Sequence, residues 1–438
     1  MKRKITCVGG GSYKWMPKLL NDIIQTNELE NSEIVLLDIN IKAAQDIKKV
    51  GEILCKKYNK KFQIIATTSE EKAFKDAQFV IITITTGGLE AMKNDLEIPE
   101  KYGIYQTVGD SVGPGGWSRT WRNVPVFKAM AEKIEKYSPK AFVLNYTNPM
   151  YSLTSIFYKT SNLRTVGLCH GLFETYDIFE KILKVKVNDI KVNFAGINHF
   201  FWILDFCVKG ESGYPLLEKK LENKKIYKEI SSGQEDLMGF HSGSYLFYEL
   251  YKIYGYLTYA ADRHTCEFFP NYLTGNEKKL EDFRLVKTSI KDREKKLEAS
   301  KKTVKNIIEG KESLGTRSRE TAIDIMKAII LDTNFIDIVN LPNKGQISNL
   351  PNGAIVETLG NVNALGFTPL VTGALPPTIL SLIEPHILCQ ELLIEASLKR
   401  DKKLAIDALY MDPLCSYLSH CKIKEMGELL LKANEKYV

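Results

Sequence analysis

The sequence predicts an α/β fold, a doubly wound parallel sheet followed by a C-terminal α+β lobe, on three observations. Short apolar runs alternate with stretches of helical spacing through the first half of the chain. The first run breaks off in a glycine turn (Gly9, Gly10, Gly11), and the second ends on an acid, Asp38. From about Lys191 the texture changes, which sets a division into 1–190 and 191–438.

Residues 5–8 form the first apolar run, and 16–24 follow with helical spacing. A second run over 34–37 leads into a helix-like stretch over 41–57. Runs at 62–66, 79–84, 141–144 and 165–168 complete the candidate parallel strands. Strand, helix, strand in this order calls for right-handed crossovers. A β-like stretch over 191–208 precedes a lysine-rich, mainly helical region reaching about Ala328. A strand resumes at 337–339, and 379–431 is apolar-periodic and helical. With no repeat and no flexible linker, the two lobes are expected to form one unit with the active site between them.

Composition excludes several classes. Hydrophobic residues are 44% and charged residues 26% of the 438, the balance of a globular protein. No apolar run reaches the ~18 residues of a membrane span. The basic start, Met1-Lys2-Arg3-Lys4, meets the glycine turn too soon for a signal peptide, so a cytoplasmic protein is expected. The net charge of +7 is spread over lysine runs such as Lys278-Lys279, with no arginine-aromatic stripe, so neither nucleic acid nor membrane is expected as a partner. Eight scattered cysteines without a C-x-x-C pair read as reduced thiols.

Two constellations carry chemistry. Ile5-Thr6-Cys7-Val8-Gly9-Gly10-Gly11-Ser12 is a strand, a tight turn and a helix start, where free N–H groups and the helix dipole suit a pyrophosphate. Lys14 replaces the third fingerprint glycine, but Asp38 stands where an acid takes the ribose hydroxyls of NAD. Gly9, Gly11, Ser12 and Asp38 are thus candidate cofactor residues in a Rossmann-like domain. The second constellation is Cys169-His170-Gly171 at a strand end and Gly196-Ile197-Asn198-His199 after another strand-like run. A lone cysteine or histidine is ordinarily filler, but thiolate plus imidazole suits a divalent transition metal with positions open to substrate.

Taken together the motifs resemble the family-four glycoside hydrolases over almost the whole chain. The resemblance rests on the glycine loop with Pro17, Thr86-Gly87-Gly88, Ile98-Pro99-Glu100-Lys101-Tyr102-Gly103, and Gly109-Asp110-Ser111-Val112-Gly113-Pro114-Gly115-Gly116 with Arg122-Asn123-Val124-Pro125-Val126. Asn145-Tyr146-Thr147-Asn148-Pro149, the Cys169-His170 and Asn198-His199 pairs, Val339-Asn340-Leu341-Pro342-Asn343, Asn349-Leu350-Pro351 and Asp412-Pro413-Leu414 complete it. It implies hydrolysis by a redox detour, an exception to the two-carboxylate pattern. Bound NAD⁺ takes a hydride from sugar C3, a base removes the C2 proton, the glycosidic oxygen leaves, water adds, and the hydride returns. A divalent metal, manganese in the family, polarises the C2 and C3 oxygens.

By resemblance Cys169 and His199 are the metal ligands, Thr86 joins the cofactor residues, and Asn148 and Arg263 contact substrate. Asp262 is the candidate base, with Tyr256 as alternative and a salt bridge or helix cap as its structural reading. Asp110 tunes the base or touches substrate, and His170 protonates the leaving oxygen or binds a sugar hydroxyl. The resemblance further implies a C-terminal lobe of the lactate and malate dehydrogenase kind, carrying metal, substrate and subunit contacts of a homodimer or homotetramer. His170 and Met92 depart from the phospho-glycosidase pattern and point to an unphosphorylated α-glycoside or α-glycosiduronate. Three alternatives stand beside this: a 6-phospho-α-glycosidase, a plain NAD-dependent 2-hydroxy-acid dehydrogenase, and a catalytically dead NAD sensor.

Overall fold

The structure is a computed structural model and describes residues 3–223, 225, 234–235 and 241–438, so part of the lysine-rich region lies outside them. Six parallel strands build the first half: β1 Lys4–Val8, β2 Glu33–Leu37, β3 Gln63–Thr67, β4 Phe79–Ile82, β5 Phe142–Asn145 and β6 Arg164–Gly167. They lie in the order β3-β2-β1-β4-β5-β6, a Rossmann-like doubly wound sheet. Covered on both faces, the central strands are continuous apolar runs; every residue of β4 is buried. The switch point between β1 and β4 opens a crevice at the strands' C-terminal ends.

Crossover helices keep the periodicity expected of them. Helix α1, Met16–Gln25, starts with Pro17 in its first turn and buries Leu19, Leu20, Ile23 and Ile24. Helix α2, Ile41–Tyr58, is capped by the Asn40 side chain, which accepts from Ala43 N–H at 3.1 Å. Then follow α3 Glu70–Phe74, α4 Gly88–Glu100, α5 Gly113–Tyr137, α6 Met150–Thr160 and α7 Gly171–Leu183.

The second half does not build a separate sheet. Strands β7 Ile190–Ile197 and β8 Phe200–Val208 form a hairpin. Phe335–Pro342 pairs antiparallel with Ile355–Asn363, and the two continue the first sheet through single bridges, Asn340 to Gly167 and Glu357 to Gly196. Glycine is required at both bridges. A Cβ at 167 would stand 2.6 Å from Met150 Sδ and Thr154 Oγ1, and one at 196 only 2.4 Å from the Phe200 carbonyl. The C-terminal helices Pro377–Lys399, Lys402–Met411 and His420–Asn434 pack on α4 and α5 of the first half. Ile383, Leu409 and Leu430 thereby share a core with Val80 and Phe127, so sheet and core both cross the 190/191 division.

Helix α5 and the strand Ile355–Asn363 are among the elements that went unanticipated. Helix α5 runs 25 residues despite its glycine-rich start and Pro125. Its first turn is pressed against the preceding loop, where a Cβ at 116 would stand 2.5 Å from the Ser111 backbone. Strand Ile355–Asn363 carries Glu357, Thr358 and Asn361, which hide its apolar alternation. No described helix is long and apolar enough to cross a membrane.

Candidate active site

The glycine turn sits at the C-terminal end of β1. Gly9 has φ +82°, and Gly9 and Gly10 donate N–H to the Leu37 carbonyl, which fixes the turn beside β2. Gly10 has no room for a side chain, since a Cβ would stand 2.6 Å from Leu36 Cα. The Asp38 carboxylate accepts Gly11 N–H at 2.8 Å and Asn40 N–H at 2.8 Å, tying the turn to the second strand end. Ser12 accepts from Trp15 N–H at 3.2 Å at the entry to α1. Thr86, in the loop after β4, donates to Asn123 at 2.6 Å, and its carbonyl accepts from Arg122 at 2.9 Å. Arg122 is locked to Asp95 by bonds of 2.7 and 2.6 Å with both side chains fully buried. Gly9, Gly11, Ser12, Asp38 and Thr86 thus gather on the crevice side of the sheet.

The next strand ends bring further buried polar groups to the same crevice. The β7–β8 hairpin turns on Asn198 and His199, with His199 at φ +64°, and buries the imidazole. His199 Nδ1 lies 2.9 Å from Ser111 Oγ, and Ser111 donates to Asp110 at 3.0 Å. A hydroxyl has one proton; with that proton on Asp110, Ser111 accepts from Nδ1–H and leaves the Nε2 lone pair available. Burial lowers the His199 pKa to about 4, against the pull of Asp110, so the ring is neutral at pH 7, as a metal ligand must be. Donor atoms of Asp110, His199 and His264 all lie within 4.8 Å of one another. His264 was missed in the sequence although it directly follows Asp262 and Arg263.

Cys169 is not a member of that tight group. Its thiol lies beside Asn198, the neighbour of His199, and takes an N–H from Gly171. Burial, aided by Glu357, pushes the thiol well above its ordinary pKa. Glu357 accepts from Asn198 at 2.9 Å and Asn340 at 2.7 Å, a buried brace behind both candidate ligands that sequence reasoning also missed.

Asp110 is ringed by charge. Burial opposes its ionisation, but His199, Arg119, Arg293 and Arg263 outweigh burial and hold the carboxyl below its usual range. Asn148 donates to it at 3.4 Å. Glu267, raised by burial to about 7, fixes the Asp110 loop by accepting Val108 N–H at 2.7 Å and Gly109 N–H at 2.8 Å. Arg263 bonds Thr288 at 2.8 Å and reaches His264 Nε2 at 3.4 Å. His170 sits by Trp15 with ring centroids 6.0 Å apart and Nδ1 3.6 Å from Glu320; burial lowers its pKa to about 3.

Asp262 occupies a cap. Its two oxygens accept Leu246 N–H at 2.8 Å and Phe247 N–H at 3.1 Å, at the start of helix Tyr245–Tyr254. Burial outweighs these bonds and raises its pKa to about 7. Tyr256, the alternative base, is half-buried against Tyr214. The tyrosine that does meet the group is Tyr259, stacked on His199 at 5.6 Å and donating to Glu174 at 2.7 Å.

Among the described residues, the buried polar atoms without a hydrogen-bond partner include Asn148 Oδ1, Arg119 Nε and Nη1, His170 Nδ1 and His264 Nδ1. Native interiors rarely leave such atoms orphaned, so their concentration marks a place for polar ligands. The donor set of imidazole, carboxylate and nearby thiol fits a divalent transition metal, and the glycine turn with Asp38 fits a dinucleotide.

The family 4 glycosyl hydrolase profile matches residues 4–185, and that family's C-terminal domain profile matches 194–415. An alpha-galacturonidase of Thermoanaerobacter italicus is 35% identical over 99% of this chain and 96% of its own length. A crystal structure described as a glucosidase from Bacillus subtilis superposes with a TM-score of 0.88 at 31% identity, covering 98% of this chain and 99% of that one. A 6-phospho-alpha-glucosidase from gut microorganisms, crystallised with NAD and Mn²⁺, shares the fold at TM-score 0.84 and 22% identity, over 100% and 99% of the two chains.

Proposed function

This chain belongs to the family 4 glycosyl hydrolases, and we propose that within it the protein hydrolyses an α-galacturonide with NAD⁺ and a divalent cation, manganese by preference. The observation that carries this reading is the cluster of orphaned buried polar atoms beside three metal-type donors at the mouth of a dinucleotide crevice. The choice of sugar draws on the alpha-galacturonidase relatives and on the guanidinium groups of Arg119, Arg263 and Arg293 around a single low-pKa carboxylate. A site with that excess of positive charge suits a substrate carrying its own carboxylate.

When bound, NAD⁺ supplies a reversible hydride acceptor and the cation a Lewis acid for sugar oxygens. The protein's own groups do the rest. Gly9, Gly11, Ser12, Asp38 and Thr86 hold the dinucleotide, the first four through the β1 turn and the last through its clamped loop. His199 and Cys169 hold the cation. Asp110, through Ser111, keeps His199 in the tautomer with Nε2 free, and with His264 it stands near enough to join the ligand set. Asn148 and Arg263 position the sugar. His170, neutral far below pH 7, serves as a hydroxyl-binding group rather than a proton donor to the leaving oxygen.

Asp262 accepts the C2 proton. A carboxylate has about four lone-pair sites, so the backbone bonds from Tyr245, Leu246 and Phe247 leave it one to act with, and a pKa of about 7 suits a base at neutral pH. The enzyme works in the cytoplasm, and its subunits pair as a homodimer or homotetramer. Domain 1–190 supplies the cofactor cradle, and 191–438 supplies His199, Asp262 and the subunit contacts.

The test is a panel of nitrophenyl α-galacturonide, α-galactoside, α-glucoside and 6-phospho-α-glucoside, assayed with NAD⁺ and Mn²⁺. Fastest turnover of the galacturonide without build-up of NADH is expected. Preference for the phosphorylated sugar, or NADH accumulating with a hydroxy acid, would replace this reading by one of its rivals.

A further inference from the structure

Three guanidinium groups face Asp110, and they differ in how far the protein itself satisfies them. Arg263 is bonded to Thr288 and reaches His264. Arg293 donates to the Val108 carbonyl at 3.1 Å and the Thr288 carbonyl at 3.3 Å. Arg119, on the second turn of α5, is different. It is 5% exposed, and its one hydrogen bond among the described residues is a long one, Nη2 to the Asn148 carbonyl at 3.4 Å. Its Nε and Nη1 are buried with no partner there. The same Asn148 has an orphaned Oδ1 and touches Asp110 with its Nδ2, so the unsatisfied guanidinium shares a wall with the proposed sugar contact.

A buried cation with unmet donors is expensive to keep unless something anionic completes it. Asp110 cannot do so alone, since it serves three arginines, and burial biases Glu267 toward its protonated form. Resting on the galacturonide reading above, we propose that Arg119 is the specificity residue of this site, binding the C6 carboxylate of the uronosyl ring through its Nε and Nη1 donors. A neutral hexoside has a hydroxymethyl group at that position; it would leave the charge uncompensated, so the preference for a uronide follows from desolvation as well as from attraction. The planar guanidinium suits a carboxylate better than an ammonium does.

The experiment compares kcat/KM for nitrophenyl α-galacturonide and α-galactoside in the NAD⁺- and Mn²⁺-loaded protein, for wild type, Arg119→Gln and Arg119→Lys. It adds the shift in melting temperature produced by free galacturonate against free galactose. In wild type the galacturonide is preferred and galacturonate stabilises more than galactose. In Arg119→Gln the galacturonide-to-galactoside ratio falls about 100-fold, mostly through KM, and the galacturonate advantage in melting disappears. Arg119→Lys keeps a charge but not the fork, so its ratio falls about tenfold. An unchanged ratio in either soluble variant overturns the assignment of Arg119 and leaves the uronide reading standing. A wild type without galacturonide preference overturns the uronide reading itself, and this inference with it.

Discussion

Asp95→Ala removes the carboxylate that Arg122 grips at 2.7 and 2.6 Å, with neither side chain exposed. The guanidinium keeps its bonds to the Thr86 carbonyl, Ser118 and Asn434, but its charge is stranded. Removing one partner of such a buried pair costs about 3–5 kcal/mol. An unfolding entropy of roughly 2.1 cal/mol/K per residue over 438 residues amounts to roughly 0.9 kcal/mol/K, so the melting midpoint should fall by about 3–6 °C. Differential scanning calorimetry with and without NAD⁺ reads both stability and cofactor binding. The double variant Asp95→Leu/Arg122→Met replaces the pair by apolar groups and should recover most of the stability. It also removes the donor that holds the Thr86 carbonyl, so the extra stabilisation by NAD⁺ should shrink. A single variant melting within about 1 °C of the parent would refute the argument for the pair. A double variant fully stabilised by NAD⁺ would refute the link from Arg122 to the cofactor loop.

Two further outcomes bear on the reacting side. Cys169→Ser should abolish Mn²⁺ binding by calorimetric titration while sparing NAD⁺; retention of Mn²⁺ there with loss in His264→Gln would move the ion to the Asp110, His199 and His264 group. Asp262→Asn should remove the rise of kcat/KM with pH through about 7, because the base must be ionised to act. Its stability effect runs the other way: a raised carboxyl favours the fold fully below about pH 4 and loses that contribution as pH rises through 7. The deficit of the Asn variant should therefore narrow over that window. An unchanged pH profile in a folded variant would reduce Asp262 to its cap.

The parallel half was legible because its central strands are short apolar runs buried on both faces and helices α1 and α2 keep a 3.6-residue period. The turn at Gly9 and the acid at Asp38 could be read together because a tight turn and its brace constrain residue type locally. Strand Ile355–Asn363 was not legible, since Glu357 faces inward to Asn198 and Asn340 and so breaks the apolar alternation. Helix α5 was hidden by glycines that answer to the Asp110 loop rather than to helix propensity. His264, Tyr259 and Arg119 reach the site only through tertiary packing. Their one local signal was proximity to motifs already singled out: His264 two residues past Asp262, and Arg119 within the segment between Gly116 and Arg122.

The central claim is that a proton leaves sugar C2 before the glycosidic bond is cut. Hydrolysis of nitrophenyl α-galacturonide in D₂O, with the released sugar analysed by NMR or mass spectrometry, tests it directly. Deuterium at C2 of the product is predicted, with none at C3, where the same hydride returns. A product carrying only protium at C2, released at the full rate, would contradict it.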